Sequence, residues 1–248
     1  MVERSDGAAM TSENERVWIF IVFVCIATST ISNFAFGSNI GKVSCKYHLS
    51  YSPSSEAFSV WILIYSTALL SVAAQLFKIK NSEIGYLSNI LFASAWLAAA
   101  VWTPTFVQDE IWSHIVAALI LVLCAGCALG AVLVMPEFAE TLWLNRFAFS
   151  IFAGWTLTAS ILSLGIAYSA IRSNGTECDS DQKNDGEISV IPMILAFVVS
   201  VLSIITNDPF LPLAPTWGII FMQPNHLNWI GIASLSVSFI ISLLRVLV

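Results

Sequence analysis

The sequence predicts an all-α protein, a polytopic bundle of about eight transmembrane helices, with seven as the alternative count. Three observations carry that expectation. Of the 248 residues, 57% are hydrophobic and only 10% are charged, with a mean hydropathy of +0.82. Soluble domains carry about a quarter charged residues, so this chain cannot cover a water-facing globule and needs an apolar solvent. Apolar runs long enough to cross a hydrocarbon core, about 20 residues, recur along the whole chain. The connections between them are short.

Residues 1–16 are polar and mixed in charge. That fits neither the basic start of a secretory signal nor an acid-poor presequence. They are expected to form a short disordered tail before a first span that acts as an uncleaved anchor. Residues 17–171 are expected to form a five-helix core with spans Val17–Phe36, Ala57–Phe77, Ile84–Phe106, Ile111–Met135 and Phe147–Ile171. The stretch 172–187 is the most polar of the chain and reads as an exposed loop. Residues 188–248 then form a three-helix extension with spans Ile188–Thr206, Pro209–Met222 and Asn228–Val248. The seventh span is short and holds Pro209, Pro212 and Pro215, so it should be broken, tilted or re-entrant. With eight spans the flanking Lys and Arg divide six to four, a weak bias toward a cytoplasmic N-terminus.

The net charge of −6 argues against a nucleic-acid partner, whose phosphates demand a basic face. The interiors of the spans carry almost no ionisable groups. His114 sits in the first turn of the fourth span and His226 in the turn before the last. Ion pumps and proton-coupled carriers keep charged or titratable groups at mid-depth, and this chain places no Asp, Glu or Lys there. A retinal lysine and a matched pair of haem histidines are missing as well. Asp109–Glu110 and Glu137–Glu140 read as solvated loop charges. No Ser–His–Asp set, phosphate loop or paired carboxylates suggest catalysis. The pattern points toward neutral, apolar ligands or toward a structural role.

Nine tryptophans are many for this length. Trp18, Trp112, Trp143 and Trp229 fall near span ends, as an interfacial aromatic belt would. Trp61, Trp96, Trp102, Trp155 and Trp217 lie deeper. Phe58, Trp61 and Tyr65 are spaced three and four apart and share one helix face. Phe152 and Trp155 form a similar pair, continued by Ala159. Such stripes serve either helix packing or a pocket for a planar hydrophobic ligand.

The stretch SPSSEAFSVWILIY, Ser52 to Tyr65, resembles the start of the second helix in the TspO/MBR family of tryptophan-rich membrane proteins. Pro53, Phe58, Ser59, Trp61 and Tyr65 match at the family spacing. The stretch RFAFSIFAGWTLTASILS, Arg146 to Ser163, is similar to the fifth helix of the same proteins through Phe149, Ser150, Ile151, Gly154, Trp155 and Ala159. Ser32-Asn33-Phe34 and Trp217-Gly218 resemble the long members, which carry extra C-terminal helices. The chain departs from the family at Ala93, Ala148 and Ser163, where an Asn, a Pro and an Asn are usual, and at Glu56, where the usual residue is apolar or aromatic. The resemblance implies binding of a tetrapyrrole or a sterol, with a tetrapyrrole as the one candidate bound group, and roles in sensing or trafficking. It places Phe58, Trp61, Tyr65, Trp96, Phe152 and Trp155 around one cavity. Lys42, Lys46 or Arg172 at a rim would suit the propionates of a porphyrin.

Weaker motifs remain. Leu164, Tyr168 and Arg172 fit a proposed sterol-contact pattern, although an interfacial Tyr followed by a snorkelling Arg is the commoner cause of such a pattern. Gly126 and Gly130 form a GxxxG that suits close helix packing within the chain or a homodimer. Cys124 and Cys127 read as small packing residues, since hydrocarbon disfavours the thiolates that metal or exchange chemistry needs. Asn174-Gly175-Thr176 is a glycosylation acceptor, and Cys45 with Cys178 could pair if their side is oxidising. The expected function is an integral, multi-pass membrane protein that binds a hydrophobic planar ligand and partners lipid. The rivals are a structural or assembly subunit of a larger membrane complex and a small facilitative transporter.

Overall fold

The computed structural model describes residues 3–47, 49–79, 84–136, 142–173, 190–222 and 226–247, without the side chains of residues 3–15, Cys45 and His226. The expectations for Asn174, Glu137–Glu140 and the Cys45–Cys178 pair therefore lie outside the described residues. Within them the chain forms eight α-helices and no strand. They are α1 (Glu3–Lys46), α2 (Val60–Leu76), α3 (Tyr86–Phe106), α4 (Ile111–Leu133), α5 (Trp143–Arg172), α6 (Ile191–Thr206), α7 (Leu213–Ile220) and α8 (His226–Leu247). A single 3-10 turn, Ser55–Ser59, leads into α2.

Six segments are long and apolar enough to cross a membrane: Arg16–Ser44, Ser55–Leu76, Tyr86–Phe106, Ile111–Leu133, Trp143–Arg172 and Leu227–Leu247. The chain is an integral, multi-pass membrane protein. Its α1 departs from the sequence expectation at both ends. It begins at Glu3, inside the stretch expected to be a disordered tail, and runs ten residues past Phe36. Gly37 and Gly41 do not stop it. Val43 and Tyr47, four apart, are buried against Phe106 and Ile166, so tertiary packing outweighs the low helix propensity of glycine.

The first five helices close into a ring in the order α1–α3–α4–α5–α2. α1 runs parallel to α3: Trp18 meets Tyr86, Ser32 donates to the Ala100 carbonyl, and Lys46 reaches Asp109. α4 returns antiparallel, with Ser88 bonded to Ala131 O and Cys124 to Ala95 O. Cys124 is thus a small packing residue between α3 and α4, as its setting in an apolar helix suggested. Gly126 has open space around it, whereas Gly130 lies 3.4 Å from Leu91 as measured from an added Cβ. The two glycines therefore do not serve one contact inside the chain.

The contacts of the extension fix the directions of its helices. Ser200 pairs with Ser234, Ser203 with Ser242, and Arg245 reaches Ile204 O. Residue numbers rise together, so α6 and α8 are parallel. The chain between them must cross back, although α7 has only eight residues and rises about 12 Å. The returning segment is a short helix with turns on either side, and the three prolines fall within it. Serines along the α6–α8 seam let the helices approach and bond to one another, as small polar residues do inside a bilayer. Asn207 ends α6 in the left-handed conformation at φ 49°, which a short polar side chain tolerates.

Candidate functional site

The interior of the ring is filled by aromatic side chains from three helices. Trp96 of α3 stacks on Phe152 of α5 at 4.1 Å between centroids and 4° between planes. Phe92 stacks on Phe149. Tyr65 and Trp61 of α2 stack on each other at 5.3 Å, and Tyr65 continues onto Trp96. Trp155 meets Trp61 and Phe58 edge-on. Trp96 and Trp155 are among the largest fully buried side chains. The two stripes read from helical spacing thus meet, and their rings pack on one another. A polar node fixes this stack: Asn33 donates to the Tyr65 hydroxyl and accepts from Thr103 at 2.9 Å. The Ser32-Asn33 pair noted in the sequence ties α1 to α2 and α3, while Phe34 beside it is exposed.

A cavity of about 60 Å³ lies above this stack, toward the end where α1 and α3 finish. Trp102 and Phe106 of α3 and Trp155 and Ile166 of α5 wall it. Ile40 of α1 closes one side, and Ser52, Pro53 and Phe58 form the roof. Residues 49–59, the lid between α1 and α2, therefore cover the cavity through Ser52, Pro53 and Phe58. Gly165 of α5 lets the lid sit close, because a Cβ there would lie 2.8 Å from Leu49 and against the Tyr51 hydroxyl. Burial pushes the Tyr51 phenol above its ordinary pKa.

Of the residues expected at a pocket, Phe58 and Trp155 line the cavity, and Trp61, Tyr65, Trp96 and Phe152 form the packed floor below it. Tyr168 and Arg172 do not line it. With Leu164 they lie exposed on the outer face of α5. Ser163, one of the departures from the family pattern, lines the cavity, whereas Ala93 and Ala148 are buried in the core. The sequence reading missed Trp102 and Phe106, whose spacing of four was a usable signal. The indole N–H groups of Trp102 and Trp155 and the hydroxyl of Ser163 are buried without a hydrogen-bond partner. They are three of nine buried side-chain atoms without a hydrogen-bond partner of their own among the described residues, and these three sit on residues around one cavity.

Charges cluster beside the lid. Asp109, expected to be a solvated loop charge, forms an ion pair with Lys46 at 2.8 Å and lies 3.3 Å from His114 Nε2. His114 is 1% exposed and sits edge-on to Tyr47 and Phe106. Burial pushes the Asp109 carboxyl up, but the hydrogen bonds from Lys46 and His114 outweigh it and hold the group below 3.8. The bond to Asp109 raises the Lys46 ammonium above 10.5. The stabilisation from Asp109 is therefore present above 3.8 and lost as pH falls through its lower folded value. That from Lys46 is complete below 10.5 and lost as pH rises through its higher folded value. The stability difference between the parent and Asp109→Asn should stay constant from about pH 5 to about pH 9 and shrink at more acid pH. Unfolding titrations in detergent across that range would check this, and a difference that varied between about pH 5 and about pH 9 would show that Asp109 does not act through the Lys46 ion pair alone.

A second ionic site was not legible in the sequence. Arg146, at the start of α5, is 5% exposed and bonds through Nε to Asp208 Oδ2 at 2.8 Å. Asp208 is fully buried in the turn between α6 and α7. It also accepts from Ser150 at 2.6 Å and from the amides of Phe210 and Leu211. Arg146 donates further to the carbonyls of Val132, Pro136 and Thr206. A cation thus satisfies the orphan carbonyls that close α4 and α6, and an anion satisfies amides entering α7. This pair lies at the end of the bundle opposite the cavity.

A closed ring of five membrane helices around a tryptophan-rich interior, with a cavity under the first connection, defines a class of integral membrane proteins with a five-helix core. A family model described as TSPO-like protein matches residues 16–247. The chain belongs to the TSPO-like protein family. No curated protein matches it, and no solved structure matches it.

Proposed function

We propose that this membrane protein takes up a hydrophobic planar ligand, of the tetrapyrrole or sterol class, in the aromatic-walled cavity beneath residues 49–59. The observation that carries the reading is the coincidence of aromatic walls with three unpartnered donors, on Trp102, Trp155 and Ser163. A ring ligand bearing carbonyl, carboxylate or hydroxyl oxygens supplies the acceptors that these groups lack. No charged side chain lines the cavity, which suits an apolar ring. The volume of about 60 Å³ is far below the roughly 300 Å³ at which ligand pockets begin. On this reading the cavity is closed, and a ligand of that size enters by displacing the lid. A role in sensing or trafficking of such ligands follows from the same reading. The dense packing of Trp61, Tyr65, Trp96 and Phe152 favours the rival reading, a structural subunit whose aromatic interior serves only to hold the fold.

Tryptophan emission separates the two. Protoporphyrin IX should quench the folded protein saturably, and cholesterol should compete if it shares the site. Trp155→Leu should weaken binding about tenfold, since it removes a ring contact worth on the order of 1 kcal/mol together with apolar area. Trp229→Leu, on the exposed face of α8, should leave affinity unchanged. Equal affinity in the parent and Trp155→Leu would place the ligand elsewhere. No saturable quenching in a well-folded sample would support the structural reading.

A further inference from the structure

We propose that α7, the short helix of the C-terminal extension, is a strap that holds the lid over the cavity and so controls ligand exchange. This rests on the reading that the cavity takes a ligand.

The strap is fixed at one end of the bundle and grips the lid at the other. Its fixed end is the turn holding Asp208, which is bonded to Arg146 and Ser150 of α5. From there the chain runs along α5. Gly154 faces Leu211 and Pro215, and Gly218 faces Thr158 and Trp155, the latter a wall of the cavity. At the far end the Trp217 indole N–H donates to Ala57 O at 2.9 Å, and the Ser54 amide donates to Phe221 O at 2.9 Å. The lid's other hydrogen bonds, among the described residues, are local: Ser52 to Leu49, Ala57 to Ser54, Ser59 to Glu56, the Val60 amide to the Ala57 and Phe58 carbonyls, and Glu56 to Ser54 and Ser55. The two bonds to the extension are therefore the polar links that hold residues 54–57 to another helix. A closed cavity too small for its ligand makes lid opening part of binding, so whatever restrains the lid sets the rate. Trp217 and Ser54 are positioning residues in this scheme, acting on the ligand through the lid.

Two substitutions each remove one link with little other disturbance. Trp217→Phe keeps an aromatic ring but loses the donor. Ser54→Pro loses the amide, and the backbone at Ser54, φ −65°, already suits proline. Amide exchange across residues 55–59, read by mass spectrometry on the full chain in detergent, should speed up about three- to tenfold in either variant, the factor one hydrogen bond supplies. Association and dissociation of protoporphyrin IX should both accelerate by a similar factor while the equilibrium affinity moves less. Trp229→Phe, outside the strap, should change neither. Unchanged exchange in both variants overturns the strap. Faster exchange with porphyrin rates within twofold of the parent overturns the control of entry. If the parent binds no porphyrin at all, the ligand reading fails, and the exchange result alone decides whether α7 holds the lid.

Discussion

Asp208→Asn is expected to lower the unfolding free energy by about 3–5 kcal/mol, the range for breaking a buried ion pair from one side. The substitution keeps the shape and one acceptor oxygen, so the amides of Phe210 and Leu211 retain a partner. It leaves the Arg146 guanidinium, 5% exposed, without its counter-charge and turns an amide N–H toward Arg146 and Ser150. Carbonyl contacts from Val132, Pro136 and Thr206 solvate the cation only in part. The loss should therefore appear as a lower midpoint in denaturant titration and as detachment of the extension before the core opens. Arg146→Met combined with Asp208→Asn should recover more than half of it, because removing both charges removes the desolvation cost as well. A single variant within about 0.5 kcal/mol of the parent would mean that water reaches the pair, and the extension would then be held by apolar packing alone.

The pair illustrates what the sequence does not reveal. Arg146 and Asp208 are 62 residues apart, and each read alone is a charge flanking an apolar run, the ordinary signature of a loop at the membrane surface. Only the antiparallel return of α4 and the docking of α7 on α5 bring them together. Hydropathy, by contrast, made most of the fold legible, because a bilayer penalises every unpaired backbone group and leaves helices as the solution. The C-terminal limit of α1 was hidden because the apolar run ends at Phe36, and only the packing of Val43 and Tyr47 with Phe106 carries the helix further. The aromatic stripes were visible from spacing, since Trp61–Tyr65 and Phe152–Trp155 each fall on one helix face. Whether the rings face a space or one another depends on helix separation, which spacing does not encode. In the structure they meet ring to ring, and the space lies about two to three turns further along α3, at Trp102 and Phe106.

Gly154→Ala is the second change expected to have a large effect. The added methyl would lie 2.8 Å from Pro215 Cδ and closer still to the Leu211 carbonyl. Neither neighbour is a flexible tip: one is backbone and the other a proline ring. α7 must therefore back away from α5, at a cost of about 1–3 kcal/mol for overpacking. Gly165→Ala offers the contrast within the same helix. There the methyl would meet the Tyr51 hydroxyl and Leu49 Cδ1, ends of side chains that can turn aside. Its cost should be under about 1 kcal/mol, taken up by movement of the lid. Denaturant titration of both variants, with helical content followed by circular dichroism, would rank them. If Gly165→Ala proved the more damaging, the seat of Leu49 and Tyr51 would be the rigid contact, and α7 would have room to move away from α5.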